Sequence, residues 1–294
     1  MSLLSTLHFI NSHPLGSKSK LRAYFNLLNW QLDQGLAKRK VVKPFIENAV
    51  LYAKKGMTGA TGNIYVGLHE FEEMAFLLHF LKKEDTFFDV GANIGSYTIL
   101  ASKIIGAKSV SFEPSPSTYN HLLDNVKYNT ITELVTTENL GISDSQKKLF
   151  FTDGLDTINH VTSKDSGGIE VSTTSLDLYC EEYHAIPSIL KIDVEGFETE
   201  VINGAKSLLS NPILRVVIME LNGSGNRYGF DEESIHQKML ENNFKAYTYE
   251  PFTRELTLRA TKSKHGNTIY IKDLDKCYAR LNAARKFKAL GIQF

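Results

Sequence analysis

Phe87-Phe88-Asp89-Val90-Gly91-Ala92-Asn93-Ile94-Gly95-Ser96-Tyr97-Thr98 is the stretch on which the reading of this chain turns. An apolar run closes on Asp-Val-Gly, small residues turn the chain, and a helical pattern runs on through Ile105. The stretch predicts a strand, a tight turn and a helix N-terminus. Glycines let backbone approach a ligand closely, and a helix start offers unpaired N–H groups to an anion. Gly91 and Gly95 are separated by three residues, which is not the G-x-G-x-x-G dinucleotide spacing, and no Gly-Lys-Ser/Thr ending marks a P-loop. A nucleoside carrying an amino acid, such as S-adenosylmethionine, suits this turn better than a nucleoside triphosphate.

Outward from the turn, the pattern is a regular α/β alternation. An amphipathic helix over 70–81 carries Phe71, Met74, Ala75, Leu78 and Leu81 on one stripe. Strands are expected at 87–90, 108–112, 134–139, 188–194, 214–221, 245–249 and 268–271. Helices are expected at 96–105, 118–127, 197–209 and 232–241. Such alternation implies a doubly wound, mostly parallel sheet with helices on both faces. Between the third and fourth strands lies an insertion, in which 148–152 and 168–173 read as a strand pair around the polar loop 153–160. Residues 1–60 read as a helical extension, with Leu21, Phe25, Leu28 and Leu32 near helical spacing, then a strand or hairpin near 49–65. Residues 61–272 form the main domain. Residues 273–294 read as a basic, solvated helix containing Lys276, Arg280, Arg285, Lys286 and Lys288.

Ligands of open α/β sheets sit beyond the carboxyl ends of the strands. The first strand ends at Asp89 and Gly91, the second at Glu113, the third near 139–144, the fourth at Asp193 and Glu195, and the fifth at Glu220 and Asn222. Glu113, about twenty residues past Gly91, is placed to accept ribose hydroxyls, which the preceding Gly turn favours over a role in stabilising the helix start that follows. Lys191, Asp193 and Glu195 alternate along an apolar strand, so period two sends them to one side or to the strand mouth. Burying three charges is costly unless they pair or serve a ligand, which leaves a structural network and a catalytic site both open. Glu220 suits a general base, a metal ligand or a partner for Lys191. His160, with a near-neutral pKa, suits a general base or an ordinary surface position. Glu70 suits contact with a ligand amino group or capping of the 70–81 helix. Tyr65, Tyr228, Phe230, Tyr249 and Phe252 are candidate sugar-stacking faces or core residues. No Gly-x-Ser-x-Gly elbow supports serine-hydrolase chemistry.

Composition sets the outer limits. The 294 residues carry 33 basic and 33 acidic side chains, so no global basic field draws in nucleic acid. The two cysteines, Cys180 and Cys277, lie far apart, which fits a reducing compartment and an expected cytoplasmic location. No apolar run reaches the length of a membrane span.

The segments 88–98, 112–116 (Phe-Glu-Pro-Ser-Pro) and 190–198 (Leu-Lys-Ile-Asp-Val-Glu-Gly-Phe-Glu), in this order, resemble the FkbM-type methyltransferases. Leu122–Val126, Ser175-Leu176-Asp177 and Gly266–Tyr270 support the resemblance, which covers roughly residues 66–271. It implies a Rossmann-like class I fold with a seven-stranded mostly parallel sheet and S-adenosylmethionine as cofactor. It also implies O-methylation of a sugar, glycan or polyketide hydroxyl. Under it Gly91, Asn93 and Gly95 would lie along the methionine part with Thr98 at the helix start, Glu113 at the ribose, and Ser143 and Asp144 near adenine. The Lys191–Gly196 motif would lie beside the reactive methyl group. A divalent cation at Asp193 and Glu220 is a variant of this scheme. A cofactor-binding scaffold without turnover, or an RNA or protein methyltransferase, are the competing readings. The neutral charge and the lack of an Asn-Pro-Pro-Tyr-type motif count against the last.

Overall fold

The computed structural model describes residues 3–37, 40–153, 159–264 and 266–294. Three helices open it: α1 (Leu3–Ser12), α2 (Pro14–Lys18) and α3 (Lys20–Ala37). Pro14 starts α2, where its missing N–H has no helical partner to lose, and His13 Nδ1 accepts from the Leu15 and Gly16 N–H groups. A hairpin of β1 (Val41–Pro44) and β2 (Val50–Ala53) precedes α4 (Thr58–Val66). The hairpin expected near 49–65 thus lies earlier, and 58–66 is helix. Gly62, which reads as turn punctuation, serves close packing instead, because the His69 ring lies 2.7 Å from where a Cβ would stand.

The alternation then proceeds through α5 (Phe71–Phe80), β3 (Thr86–Val90), α6 (Ser96–Ile99, continued as a π-helical segment Leu100–Ile105), β4 (Lys108–Phe112), α7 (Pro116–Tyr128) and β5 (Val135–Glu138). A second sheet follows, built from β6 (Gly141–Ile142), β7 (Lys147–Phe151), β8 (Val161–Thr162) and β9 (Ile169–Thr174) in the order β6-β9-β7-β8. Its β7–β9 ladder is the strand pair expected from the sequence; residues 154–158 of the loop expected at 153–160 lie outside the described residues. Next come α8 (Leu176–Tyr183), β10 (Ile189–Ile192), α9 (Glu198–Asn203), α10 (Lys206–Ser210) and β11 (Val216–Glu220). The single helix expected over 197–209 is therefore two, parted at Gly204 and Ala205. The chain finishes with α11 (Glu232–Glu241), β12 (Lys245–Glu250), β13 (Glu255–Leu258), β14 (Asn267–Ile271), α12 (Leu274–Ala283) and a hairpin of β15 (Lys288–Ala289) and β16 (Ile292–Gln293). Only the first half of 273–294 is helix, because Phe287 and Phe294 exchange backbone hydrogen bonds and close the hairpin.

The main sheet runs β13-β12-β14-β11-β10-β3-β4-β5. Its five strands from β11 to β5 are parallel, and β14, β12 and β13 are antiparallel to their neighbours. This is the Rossmann-like, doubly wound, mostly parallel plan, with an eighth strand at the edge. The extra strand, β13, escapes a hydrophobic reading because three of its four side chains face solvent.

Strand alternation feeds two cores, one on each face of the sheet. Phe87, Ile189, Val216, Ile218 and Ile269 enter the first, which also holds Ile10, Leu15 and Trp30 of the N-terminal helices, Phe76 of α5, and Phe287 and Phe294. Phe88, Leu190, Val217, Met219 and Tyr270 enter the second, under Leu176, Val201, Leu208 and Ile235. An ion pair locks α12 to the loop before β3: both guanidinium nitrogens of Arg280 reach the buried Asp85 carboxylate, which also accepts the Lys82 N–H at 2.8 Å. Removing one partner of a buried pair strands the other charge. Arg280→Ala is expected to lower unfolding stability by about 3 kcal/mol, read from urea denaturation; a change below experimental error would show that this pair does not anchor α12.

Candidate active site

The turn after β3 is fastened to both neighbouring strands. The Gly91 and Ala92 N–H groups donate to the Phe112 carbonyl at 3.0 and 2.9 Å, and Asp193 N–H donates to the Val90 carbonyl at 3.0 Å. Gly91 has φ +78°, and a Cβ there would lie 1.8 Å from the Asp193 carbonyl oxygen, so only glycine lets the loops after β3 and β10 touch. Glu113 ties the turn to β4: its two carboxylate oxygens accept the Asn93 and Ser115 N–H groups at 2.9 and 3.0 Å. Burial pushes the Glu113 carboxyl up to about 7, against the pull of those two donors. Asp89 turns towards the helix start and accepts from the Thr98 N–H at 3.1 Å and the Thr98 hydroxyl at 2.7 Å. Thr98 Oγ1 also lies 2.7 Å from Ser111 Oγ. Burial raises the Asp89 pKa, and the Lys191 ammonium opposes that shift.

These elements wall a cavity of about 290 Å³ at the carboxyl ends of β3, β4, β10 and β11. Its charged lining is six carboxylates, from Glu70, Asp89, Glu113, Asp193, Glu195 and Glu220, and one ammonium, from Lys191. Lys191 is 3% exposed, sits opposite Asp89 in the β10–β3 register, and donates to Asp193 Oδ2 at 2.8 Å. Burial works against its charge, but the carboxylates of Asp193, Glu70 and Asp89 outweigh burial and hold its pKa above the usual lysine value. The ammonium also lies 4.8 Å from the centre of the Tyr97 ring. The Tyr97 phenol is held well above its usual pKa by burial and then by the charges of Glu70 and Glu73. Its enclosed hydroxyl makes no hydrogen bond of normal geometry. Glu73 itself is pushed up to about 8 by burial and by Glu70.

Asp193, Glu195 and Glu220 each place a carboxylate oxygen within 4.8 Å of the others, close enough to share one proton or one cation. Burial, the Asp193 charge and a hydrogen bond to Asp193 raise the Glu220 pKa strongly. Burial and the Asp193 charge push Glu195 up to about 7, against Arg227 and Lys191. The loop carrying these groups is held from behind. Glu198 Oε1 accepts the Val194 and Gly196 N–H groups at 3.0 and 3.3 Å, and Arg227 Nη1 donates to the Glu195 carbonyl at 3.3 Å.

Among the residues singled out by sequence, Glu70, Asp89, Gly91, Asn93, Glu113, Lys191, Asp193, Glu195 and Glu220 all line the cavity; Gly95, the N-cap of α6, does not, although its neighbours Ile94 and Ser96 do. Four others do not line it either. Thr98 stands behind Asp89, as above. Ser143 is fully buried with its hydroxyl on Asp144 Oδ1 at 3.0 Å, and Asp144 is drawn outwards to Lys147 at 2.6 Å. Their neighbours Leu140, Gly141 and Ile142 line the cavity instead. His160 is likewise passed over while Asn159 and Val161 line the wall, and its backbone N–H bonds Thr152 Oγ1 at 2.9 Å. Of the candidate stacking aromatics none lines the cavity: Tyr249 is buried with its hydroxyl 2.6 Å from His79 Nδ1, and Tyr228 donates to the Val161 carbonyl. Phe112, Phe151, Phe197 and Tyr97 supply the aromatic lining. The sequence reading gave no role to Glu198, Glu73 or Tyr97. Glu198 had a signal, an acid in the first turn of a helix able to reach back to free N–H groups.

Residues 89–246 match the methyltransferase FkbM domain, and the chain belongs to that family of methyltransferases. It is 30% identical over 175 residues to the hexuronic acid methyltransferase AglP of Haloferax volcanii, a match spanning 58% of this chain and 68% of that protein. Among solved structures it is similar to the precorrin-6y C5,15-methyltransferase of Geobacter metallireducens, at 12% identity and a TM-score of 0.42, over 78% of this chain and 98% of that one. It is also similar to TrmK of M. capricolum in complex with S-adenosylhomocysteine, at 10% identity and a TM-score of 0.39, over 68% of each chain.

The raised carboxyls make stability depend on pH. Glu73, Glu113 and Glu195 hold protons in the fold at pH values where the unfolded chain, titrating near 4.5, has released them. Stability is then fully present below about pH 4.5 and falls as pH rises through about 7 to 8. The thermal midpoint of the ligand-free protein is expected to drop between about pH 5.5 and about pH 8, and Glu195→Gln should flatten that slope; a midpoint rising over the range contradicts this electrostatic account.

Proposed function

We propose that the protein is an S-adenosylmethionine-dependent O-methyltransferase acting on a hydroxyl of a sugar or glycan. The observation that carries this reading is the acidic lining of the cavity, six carboxyl groups against one ammonium. Such a lining suits a ligand bearing a sulfonium and an ammonium, and it repels phosphates, which counts against nucleotide cofactors and RNA acceptors. The residues present fit the cofactor. The enclosed Tyr97 hydroxyl and the carboxyl groups of Glu70 and Glu113 offer polar partners, and Phe112, Leu140 and Ile142 offer an apolar wall for a base. In this assignment Glu113 takes the ribose hydroxyls, Gly91 and Asn93 flank the methionine part, and Glu70 faces its amino group. S-adenosylmethionine, when bound, supplies an electrophilic methyl group whose leaving group is a neutral thioether.

The remaining work falls to the chain. An attacking hydroxyl must be aligned, desolvated and relieved of its proton. Asp193 has Lys191 on Oδ2 and stands beside Glu195 and Glu220, so its position is fixed from three sides. It is the residue assigned to take the hydroxyl proton, with Lys191 as its positioning partner. Phe151 and Phe197 provide apolar faces against which a sugar ring can rest. The hexuronic acid named for the Haloferax relative supports a saccharide acceptor as the class to try first. A second reading rests on the carboxylate triad, which could hold a divalent cation that binds the acceptor oxygen.

Asp193→Asn is expected to bind S-adenosylmethionine within a few-fold of the parent and to lose at least about 100-fold in turnover, measured by transfer of labelled methyl to saccharide acceptors. Undiminished turnover would remove Asp193 as the base. Full activity after exhaustive chelation would remove the cation reading, and absence of transfer to any saccharide would leave cofactor binding without this chemistry.

A further inference from the structure

Helix α3 is apolar on two opposite faces. Ala23, Leu27 and Trp30 recur at i, i+4 and i+7 and are buried in the first core. Leu21, Phe25, Leu28 and Leu32 recur at i, i+4, i+7 and i+11 on the other side and are exposed by 87%, 62%, 57% and 53%. A surface helix normally sets polar residues there. The outer stripe runs about 16 Å along the helix, and Leu3 and Leu4 of α1 are exposed as well. Contiguous exposed apolar surface of this kind marks a contact site.

The charge around the stripe selects the partner. Residues 1–43 hold seven basic side chains, Lys18, Lys20, Arg22, Lys38, Arg39, Lys40 and Lys43, against the single acid Asp33, in a chain whose total charge is zero. Lys43 pairs with Asp33 and Lys40 with Asp124. Lys18, Lys20 and Arg22 are exposed around Leu21. An apolar stripe flanked by lysine and arginine is the pattern of a helix lying in the interface of an anionic membrane. A twofold contact between two copies would instead bring two basic surfaces together. None of the described helices is long and apolar enough to cross a bilayer, so any contact is with its surface.

We propose that the N-terminal helices seat the protein on an anionic bilayer, with Leu21, Phe25, Leu28 and Leu32 entering the interface and Lys18, Lys20 and Arg22 against the lipid phosphates. The inference does not depend on the acceptor or on the methyl-transfer reading. The inner face of the extension bears on the site through α4, which packs beside α3 and lines the cavity with Thr58, Gly59 and Asn63.

The test is co-sedimentation of the full chain with vesicles of equimolar phosphatidylcholine and phosphatidylglycerol, and with phosphatidylcholine alone. The full chain is expected to sediment with the anionic vesicles, to be released by salt, and to stay in solution with the neutral ones. Phe25→Gln/Leu28→Gln should weaken binding more than about tenfold, as loss of two buried apolar side chains implies, and Lys20→Glu/Arg22→Glu should weaken it independently. The first pair lies on solvent-facing positions, so its thermal midpoint and cofactor affinity should be unchanged; the Arg22 guanidinium also rests on Gly291, so the second pair is compared at a temperature where its cofactor affinity is retained. Failure to bind anionic vesicles at low salt overturns the proposal. So does binding that neither variant weakens, or a concentration-dependent dimer in sedimentation velocity that Phe25→Gln/Leu28→Gln abolishes, which would assign the stripe to a second copy.

Discussion

One buried ammonium organises the cavity at the carboxyl edge of the main sheet. Lys191 projects from the middle of the sheet into a space shared by Asp193, Asp89 and Glu70, with the Tyr97 ring beside it. A lone charge in that position would be prohibitively desolvated, and so would the carboxylates without it. The arrangement is stable only as a group, which couples α5, the turn after β3 and the loop after β10. The remaining excess of negative charge is what the pocket offers to a ligand. Burial raises Glu195 and Glu220 and repulsion from Asp193 adds to it, so a cationic ligand would relieve part of the unfavourable electrostatics that the fold holds there.

The fold was legible where apolar patterning is strong. Seven strands and the switch from β3 to α6 follow from hydrophobic runs bounded by Gly, Pro and acids, since strands buried on both faces leave little freedom in composition. β13 was not legible, because Glu255, Thr257 and Leu258 face water and its pairing comes from the turn at 251–254 rather than from a core. The helix at 58–66 was hidden by Gly59 and Gly62, and the reason for Gly62 is the His69 ring that packs where its Cβ would stand.

The site was legible to the level of strand ends and no further. Period two and the carboxyl-edge rule placed Asp193, Glu195, Glu220 and Glu113 together, because both are properties of backbone geometry. They could not tell which neighbour along an irregular segment turns inward. Ile142 faces the cavity rather than Ser143 and Asp144, and Asn159 rather than His160, because those choices depend on how the second sheet leans on the first. Tyr97 lies one residue from Thr98 and serves the cavity while Thr98 serves Asp89, a division set by the helical rotation at that turn.

The two cores also differ in how far apart in the chain their members lie. The second draws on residues between Phe88 and Tyr270, whereas the first joins Ile10 and Leu15 to Phe287 and Phe294. During synthesis the N-terminal helices emerge first but must wait for nearly the whole chain before their core can close. Until then Trp30 and its neighbours are covered only by the earlier members of that core, such as Leu51, Ile64 and Phe76. The second core needs none of the N-terminal helices and closes over a shorter stretch of chain. Assembly of this protein is therefore expected to be asymmetric across the sheet, with the side bearing the extension completed last.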